Sequence, residues 1–267
     1  MTTPISYYGG KQNMIQHLIP LIPEHKQYVE PFIGGASMFF AKKPSECEVI
    51  NDYDLRVTNF WDCLQNDFEA LQHKIRSTLH SEIEHYRAKD ILKAGFKDNR
   101  LDFAWAFWVQ TNMSFGNKMF AGFAFGNDNS RESLHLEKKI NFTHEIYQRM
   151  NRVQIFNRDA IDLIKLKDGK DTFFYLDPPY AESNCGHYES VKDVYYRLLD
   201  YLPNIKGKWL MSSYPSEQLD NLRALYFWNK KDIDKNLSVS MKHNAGKRKT
   251  ECLTWNYNIT NMQQSLF

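Results

Sequence analysis

The chain has 267 residues, a net charge of +2 and an aromatic content of 15%. This length allows one large domain or two smaller ones, and the aromatic residues are numerous enough to build a full core. The weak net charge excludes a global electrostatic field that attracts nucleic acid, so any site for a polyanion must be a local patch.

The four cysteines are scattered and form no CxxC pair, which argues against a zinc site or a disulfide framework. The N-terminal segment has no basic region followed by an apolar run, as a signal peptide would. No apolar segment approaches the ~18 residues that a membrane span requires. We therefore expect a soluble cytoplasmic protein without a metal site.

Seven short segments predict β-strands, at residues 27–32, 47–52, 153–159, 172–177, 208–214, 224–228 and 251–257. Amphipathic segments such as 160–166 and 194–202 separate most of these strands and predict helices. Strands that alternate with helices are typical of an α/β fold with a mostly parallel sheet. No helical pattern separates the last two strands, which we expect to form an antiparallel pair.

The region from about 54 to 149 breaks this alternation. Apolar residues at positions 68, 71, 75 and 79 have helical spacing, and residues 101–113 are apolar on nearly all sides, which predicts a buried helix. In residues 114–130 three glycines alternate with aromatic residues before a polar cluster, a pattern that predicts an exposed loop or hairpin. We interpret the region as an inserted helical domain.

Several predicted strands end in residues suited to bind a ligand, and ligands of open α/β sheets lie beyond the carboxyl ends of the strands. Gly34 and Gly35 follow the first strand, where paired glycines allow either a close backbone approach to a ligand or simply a tight turn. Asp52 ends the second strand, 18 positions after Gly34. An acid at that distance commonly binds ribose hydroxyls, but it could also cap the next helix.

Two other predicted strands also have an aspartic acid at their carboxyl end. For Asp159, an N-cap of the following helix is at least as good an explanation as a ligand contact. Asp177 is followed at once by Pro178, Pro179 and Tyr180, so the chain leaves the strand rigidly. The turn at Gly34 lacks the GxGxxG pattern of a pyrophosphate site. A glycine turn with a ribose-binding acid suits a nucleoside without phosphates, such as S-adenosylmethionine.

Four motifs occur in an order that resembles the Dam-type family of S-adenosylmethionine-dependent DNA adenine-N6 methyltransferases. They are SYYGGK at 6–11, VEPFIGGAS at 29–37, NDYD at 51–54 and DPPY at 177–180. DPPY alone is moderately specific, because related tetrapeptides occur in RNA, cytosine-N4 and protein-glutamine methyltransferases. The combination is far more specific, and the resemblance spans nearly the whole chain.

The resemblance implies a Rossmann-like methyltransferase sheet of about seven strands. It assigns residues 1–55 and 151–267 to the catalytic, S-adenosylmethionine-binding domain and residues 56–150 to a helical target-recognition domain. Tyr7 stands where the family usually has a tryptophan or another aromatic residue. The residues expected to bind the cofactor are Tyr7, Lys11, Glu30, Pro31, Phe32, Gly34, Gly35, Ser37, Asp52, Asp159 and Asp177.

The resemblance also gives DPPY a catalytic role. The adenine amino group is a poor nucleophile, because its lone pair is delocalised into the ring. Asp177 would accept one N–H and the carbonyl of Pro178 the other, which stabilises the amine as positive charge develops. The prolines at 178 and 179 would fix both acceptors in place, and Tyr180 would stack on an adenine flipped out of the duplex. The structural alternative is that Asp177 only caps a turn and that the two prolines only give the chain a rigid exit from the strand.

Residues 112–126 match the family's DNA-reading hairpin only in part, since its arginine and its Asn-Val-Pro do not occur here. The usual GATC target is therefore not implied. Residues of this hairpin can reach base edges, and the basic segment 242–249 can contact phosphates. The predicted DNA-binding residues are Asn112, Asn117, Lys118, Lys242, Lys247, Arg248 and Lys249.

The leading prediction is a site-specific adenine methyltransferase that acts on double-stranded DNA. One alternative keeps the fold but methylates RNA adenine, cytosine N4 or a protein glutamine. Another is a DNA-binding protein without catalysis. The sequence leaves open the target, a companion restriction endonuclease, and whether the protein is a monomer or a weak dimer.

Overall fold

The computed structural model describes residues 1–96, 99–126, 131–179, 188–236 and 248–259; at 131, 188–192, 235–236 and 248–249 it describes the backbone only. The strands follow the chain in the order β1 to β7. Their bounds are Gln27–Glu30, Cys47–Asn51, Val153–Phe156, Thr172–Leu176, Lys208–Ser213, Asn229–Asn236 and Arg248–Trp255.

The seven strands form one sheet in the order β3-β2-β1-β4-β5-β7-β6. Strand β2 runs parallel to β3, and β4 runs parallel to both β1 and β5. Strand β7 is antiparallel to β5 and to β6. This sheet confirms the predicted α/β class with mostly parallel strands. The chain adds strands on one side of β1 and then continues with β4 on the other, which is the switch in strand order where such sheets bind ligands.

The helices are numbered α1 to α11 along the described chain. Their bounds are Ile15–Leu18, Ser37–Ala41, Leu55–Asn66, Phe68–Ser77, Glu82–Lys93, Arg100–Met113, Arg131–Ile140, His144–Met150, Ala160–Lys167, Tyr188–Tyr201 and Glu217–Tyr226. The predicted buried helix at 101–113 is confirmed as α6, whose N-cap Asn99 accepts a hydrogen bond from the amide of Asp102 at 3.0 Å.

The predicted strand at 224–228 is wrong. Most of that segment belongs to α11, which begins where the Ser216 hydroxyl accepts a hydrogen bond from the amide of Leu219. The helix ends at Tyr226, the next residue, Phe227, has a left-handed φ of 56°, and the strand starts only at Asn229. Strand β6 has the sequence NKKDIDKN and lies at the edge of the sheet. Charged residues are tolerated at an edge and discourage pairing with another chain. The predicted antiparallel pair is therefore β6 with β7.

The chain divides into two compact units. The first unit comprises Met1–Ile19 and Ile33–Arg158, and the second comprises Pro20–Phe32 and Asp159–Phe267. In the first unit α6 packs against α3 and α5, and its tryptophans Trp105 and Trp108 are almost fully buried. The assignment of residues 56–150 to a target-recognition domain stays a prediction.

In the second unit every residue of β4 is buried. Phe173 contacts the rings of His25, Tyr28 and Tyr257, and Trp209 of β5 is also fully buried. This apolar packing fixes the strands whose carboxyl ends carry the acids described below. Within the described residues, no helix combines the length and the apolar composition that crossing a bilayer requires.

Candidate active site

The glycine turn of the first unit is held from three sides. The amide of Ile33 donates to the carbonyl of Asn51 at 2.8 Å, and the amide of Gly34 donates to the Asp52 carboxylate at 3.0 Å. The indole Nε1 of Trp61 donates to the carbonyl of Gly34 at 3.1 Å. Gly34 has a φ of 41°, in the left-handed region, so glycine is the residue that this turn accommodates without strain.

Tyr7 lies directly against this turn. A Cβ atom added at Gly35 would lie 2.7 Å from the Cβ of Tyr7, and one at Gly34 would lie 3.0 Å from its ring. The amide of Gly10 donates to the carbonyl of Tyr7 at 3.0 Å, so the SYYGGK segment turns back on itself here. Lys11 and Ser37 are both buried. The structure thus brings together Tyr7, both glycines and Asp52.

Substituting Gly35 with alanine is expected to destabilise the first unit by about 1–3 kcal/mol, as overpacking typically does. The reason is the 2.7 Å approach of Tyr7, which an added methyl group can relieve only by moving backbone. Gly122→Ala is the matched control, because a Cβ there meets nothing within 4 Å and the φ is not positive. Its effect should stay within about 0.5 kcal/mol in denaturant unfolding. Equal effects of the two substitutions would contradict the packing argument.

Asp52 does not cap a helix, so the alternative that assigned it this role is wrong. Helix α3 is capped by Asp54, whose carboxylate accepts from the amide of Arg56 at 2.9 Å. Asp52 instead accepts from the amides of Gly34 and Asp54, at 3.0 and 2.9 Å. Burial raises the pKa of Asp52 to about 6, although both hydrogen bonds favour the carboxylate. The acid therefore orders the turn, and its pKa lies well above the ordinary value of an aspartic acid.

Two asparagines that the sequence analysis missed join the loops after β2 and β3. The buried amide of Asn51 donates to the carbonyl of Arg158 at 3.1 Å and accepts from its amide at 2.9 Å. Asn157 donates to the carbonyls of Asp52 and Tyr53, at 2.8 and 3.1 Å. These bonds hold Asp52 in place. An asparagine at the end of each strand was the available signal, since its side chain can bond a backbone donor and acceptor together.

In the second unit, Glu30 ends β1 and is only 2% exposed. The hydroxyl of Tyr28, two positions earlier on the same face of the strand, donates to its carboxylate at 2.6 Å. A buried carboxylate is stable only with such partners. Pro31 is buried and Phe32 is half-buried beside it. The Glu-Pro-Phe segment thus places a buried, hydrogen-bonded carboxyl group at the carboxyl end of β1.

Asp177 follows β4, the strand next to β1, and is half-buried; Pro178 is buried and Pro179 exposed. The hydroxyl of Tyr175 is 3.1 Å from that of Ser212 on β5. Burial raises the pKa of Tyr175 well above its usual value, and the negative charges of Asp177 and Glu30 raise it further. Both acids therefore lie within electrostatic range of one buried phenol, at the switch in strand order. Tyr180 lies outside the described residues.

Asp159 is the N-cap of α9. Its carboxylate accepts from the amides of Ile161 and Asp162, at 2.9 and 3.3 Å. Both of its oxygens also pair with the guanidinium of Arg197, at 3.0 and 3.2 Å. The N-cap alternative is confirmed, and a contact with the cofactor stays a prediction.

The predicted DNA-binding residues fall into two groups. Asn112 accepts from the amide of Ser6 at 3.2 Å and donates to the carbonyl of Trp108 at 3.0 Å. Asn117 has a left-handed φ of 56°, and the exposed Lys118 lies 4.9 Å above the ring of Tyr8. Their role as readers of bases stays a prediction. Of the second group, Lys242 and Lys247 lie outside the described residues, and only the backbone of Arg248 and Lys249 is described, in β7.

Several known proteins are similar to this chain. The type II methyltransferase M1.LlaDCHI of Lactococcus lactis subsp. cremoris is 24% identical over 183 residues. That match covers 64% of this chain and 63% of the relative, so the chain spans less than two thirds of the relative's length. The DNA N-6-adenine-methyltransferase of Escherichia phage P1 is 32% identical over 63 residues, which are 24% of this chain and 8% of that protein.

Among solved structures, precorrin 8W decarboxylase from Methanobacterium thermoautotrophicum aligns with a TM-score of 0.38 and 7% identity. The alignment covers 97% of this chain and 96% of that chain, and a score this low supports no inference about activity. A family model described as D12 class N6 adenine-specific DNA methyltransferase matches residues 7–250. This match confirms the resemblance that the motifs predicted, and the chain belongs to the D12 class N6 adenine-specific DNA methyltransferase family.

Proposed function

We propose that this protein is an enzyme that methylates the N6 amino group of a flipped-out adenine in double-stranded DNA, with S-adenosylmethionine as the methyl donor. The observation that carries the proposal is the Asp177-Pro178-Pro179 segment at the carboxyl end of β4, next to the buried Glu30 at the end of β1. Family membership makes the reaction class the first one to test.

The residues of the first unit fit a nucleoside that lacks phosphates. The amide of Gly34 already donates to Asp52, so this turn does not direct that amide at a phosphate group. Asp52 is a carboxylate acceptor, which suits the two hydroxyl donors of a ribose. In the second unit, the buried carboxylate of Glu30 suits an ammonium group. Each of these two sets of residues, taken by itself, suits one part of S-adenosylmethionine, which when bound supplies a methyl group activated by a sulfonium sulfur.

The residues after β4 act on the amine. Asp177 accepts one amino N–H and the carbonyl of Pro178 accepts the other, so both bonds strengthen as the nitrogen becomes positive. Pro178 and Pro179 have fixed φ angles, which place the acceptors before the base arrives. Tyr180 stacks on the flipped base. The half-buried environment of Asp177 increases the strength of this electrostatic contact.

The DNA contacts that we propose come from the helical region of residues 56–150 and from the basic segment 242–249. Lys118 is exposed, and its ammonium group lies 4.9 Å above the ring of Tyr8. We further propose a cytoplasmic location, and a companion restriction endonuclease and a monomeric or weakly dimeric state stay predictions.

Incubation of bulk DNA with isotope-labelled S-adenosylmethionine tests the function. Digestion to nucleosides should show the label in N6-methyladenine. Label in N4-methylcytosine, in RNA or in protein would support the alternative acceptors. DNA binding without transfer would support the non-catalytic alternative, and Asp177→Ala controls for a contaminating enzyme.

Affinity for the cofactor should fall when the pH drops through about 6, because the ribose hydroxyls require the ionised form of Asp52 and burial raises its pKa to about 6. Protonation of Asp52 removes a charge-assisted acceptor, so the affinity should be constant between pH 7 and 7.5 and fall by up to about tenfold per pH unit below 6. Calorimetric titration with S-adenosylhomocysteine measures this. An acid with an ordinary pKa would shift the fall about two units lower.

Asp52→Asn is the control for this titration, because the amide cannot be deprotonated. Its affinity should be low and independent of pH between 5 and 7. The same decline in the variant as in the wild type would assign the titration to another group.

A further inference from the structure

A closed ring of buried hydrogen bonds lies beneath the turn that carries the predicted base-reading residues. We name residues 115–123 the recognition turn. It follows Ser114, the first residue after α6. A β-bridge between Ser114 and Phe123 closes the turn. The amide of Phe115 donates to the carbonyl of Gly122 at 2.8 Å. The turn is thus a short hairpin whose base, at Ser114, is 1% exposed.

Gln110 is the centre of the ring and is fully buried. Its Nε2 donates to the carbonyl of His85 in α5 at 2.9 Å. Its Oε1 accepts from the Ser114 hydroxyl at 3.3 Å and from the amide of Phe120 at 3.1 Å. The backbone donor at Phe120 fixes the orientation of this side-chain amide, because an N–H group cannot accept a hydrogen bond.

His85 closes the ring. Its Nε2 is 2.9 Å from the hydroxyl of Ser114, and since that hydroxyl donates to Gln110, Nε2 must carry the proton. Its Nδ1 is buried without a hydrogen-bond partner among the described residues, so a second proton there would be unpaired. Burial accordingly lowers the pKa of His85 to about 4. The ring is therefore complete at neutral pH with a neutral imidazole.

The turn has a backbone conformation that needs this support. Gly116, Asn117 and Phe120 all have left-handed φ angles, of 62°, 56° and 63°. For a bulky residue such as Phe120 this conformation is a strained outlier, which persists only where the surroundings enforce it. The bond from its amide to Gln110 and the guanidinium of Arg56, 5.5 Å above its ring, hold it there. A strained conformation that the surroundings enforce in this way is a reason to look for a function of the turn.

We propose that Gln110 is a positioning residue for target specificity: it holds Phe120 in the left-handed conformation and thereby sets the placement of Asn117 and Lys118 on the bases. This inference rests on the proposed function. It extends that function, because the fully buried Gln110 would act on specificity only through the residues of the turn above it. The side-chain amide of Gln110, in α6, connects α5 to the recognition turn.

The test uses the full chain with Gln110→Met, which keeps the side-chain length but removes both the donor and the acceptor. Gln72→Met is the matched control, since Gln72 also donates to a backbone carbonyl, that of Phe142 at 2.7 Å, and both residues of this bond lie outside the recognition turn. Sequencing of methylated adenines first defines the target. Single-turnover transfer then compares this target with duplexes that carry one mismatch.

In Gln110→Met the ratio of target to mismatch methylation should fall about ten- to hundredfold, the discrimination that one good base contact provides. Affinity for S-adenosylhomocysteine should stay unchanged, and Gln72→Met should discriminate like the wild type. Hydrogen exchange at the amide of Phe120 should become faster in Gln110→Met only. If Gln110→Met does not fold, Ser114→Ala removes the two bonds that the Ser114 hydroxyl makes in the ring but keeps the bond from the amide of Phe120 to Gln110, and it should show the same changes at smaller size.

Gln110→Glu provides a pH-dependent rescue, and its readout is the ratio of target to mismatch methylation, which a loss of stability alone would not change. A protonated glutamic acid has one acceptor and one O–H donor, the same pattern as the amide, and burial favours the protonated form. At saturating cofactor the variant should discriminate like the wild type at pH 5.5 and like Gln110→Met at pH 8.5, each compared with the wild type at the same pH.

Two results in Gln110→Met would overturn the proposal. One is faster exchange at the amide of Phe120 with unchanged discrimination between target and mismatch, and the other is unchanged exchange at that amide. If the wild type methylates no duplex, the proposed function fails and the specificity role fails with it. Hydrogen exchange at Phe120 still tests whether Gln110 holds the turn when no methylation is detected, because this measurement needs no activity. It therefore distinguishes a failure of the proposed function from a failure of the positioning role.

Discussion

Asp177→Ala is expected to lower single-turnover methyl transfer by about a hundred- to a thousandfold, the usual cost of one preorganised electrostatic contact. The contact between the carboxylate and the amine is stronger in the transition state than in the ground state, so turnover should fall more than DNA binding. The protein should still fold, since Asp177 is half-buried at the end of a strand whose other residues supply the packing. Cofactor affinity should weaken only if this acid also contacts the ammonium group.

The measurement is transfer to a duplex that contains adenine, at saturating cofactor and below the melting temperature of the variant. Asp168→Ala is the matched control, because Asp168 does what the structural alternative assigns to Asp177. Its carboxylate accepts from the amides of Lys206 and Gly207, at 3.0 and 2.9 Å, and so only fixes a turn of the same unit. It should cost about 1 kcal/mol of stability, as a lost cap does, and leave the rate unchanged.

An Asp177→Ala rate within tenfold of the wild type would show that DPPY is a rigid exit from β4 and not a catalytic segment. Loss of activity in both variants, with equal loss of stability, would point to unfolding instead. Asp177→Asn adds a further distinction, because it keeps an acceptor of the same shape but removes the charge. A large effect of this variant would assign the catalysis to charge.

The positions of the buried strands could be predicted because their apolar residues and their ends are local properties of the sequence. The structure of segment 224–228 could not be predicted, since its aromatic residues suggest a strand while the cap at Ser216 starts a helix. The strand that follows, β6, could not be predicted either, because it is polar and lies at the edge of the sheet. Edge position is set by strand order, and strand order depends on contacts that are distant in sequence.

In the candidate site, too, the motif residues could be predicted from the sequence, but the long-range hydrogen bonds around them could not. The motifs identified Gly34, Gly35 and Asp52, but not the bonds that Trp61 and Asn157 make around them, at 27 and 105 positions' separation from their partners. Gln110 was hidden for a related reason. It stands in a segment that is apolar on nearly all sides, and only the folded turn shows that its amide has three partners.

Asp52→Ala is expected to weaken S-adenosylmethionine binding by about ten- to hundredfold, because a charge-assisted hydrogen-bond pair contributes about 1.5–3 kcal/mol. The fold should survive. The substitution removes the acceptor of two backbone amides, but it also removes an acid whose ionisation burial disfavours, as its raised pKa of about 6 shows. The two effects oppose each other at pH 7, so the net change in unfolding free energy should be small.

The loss of affinity could also arise indirectly, since Asp52 orders the glycine turn through the amide of Gly34. Trp61→Phe separates the two causes, because it removes the bond to the Gly34 carbonyl on the other side of the same turn and leaves Asp52 intact. If Asp52 binds the ribose itself, Trp61→Phe should change the affinity much less than Asp52→Ala.

A cofactor product that lacks both ribose hydroxyls completes a double-mutant cycle. Wild type should bind this deoxy form of S-adenosylhomocysteine about as weakly as Asp52→Ala binds the natural one. Asp52→Ala should not distinguish the two ligands, because the partner of the hydroxyls is already gone. Calorimetric titrations of both proteins with both ligands give the coupling directly. Additive losses would mean that the carboxylate and the hydroxyls do not meet, and that Asp52 serves only to fix the turn at Gly34.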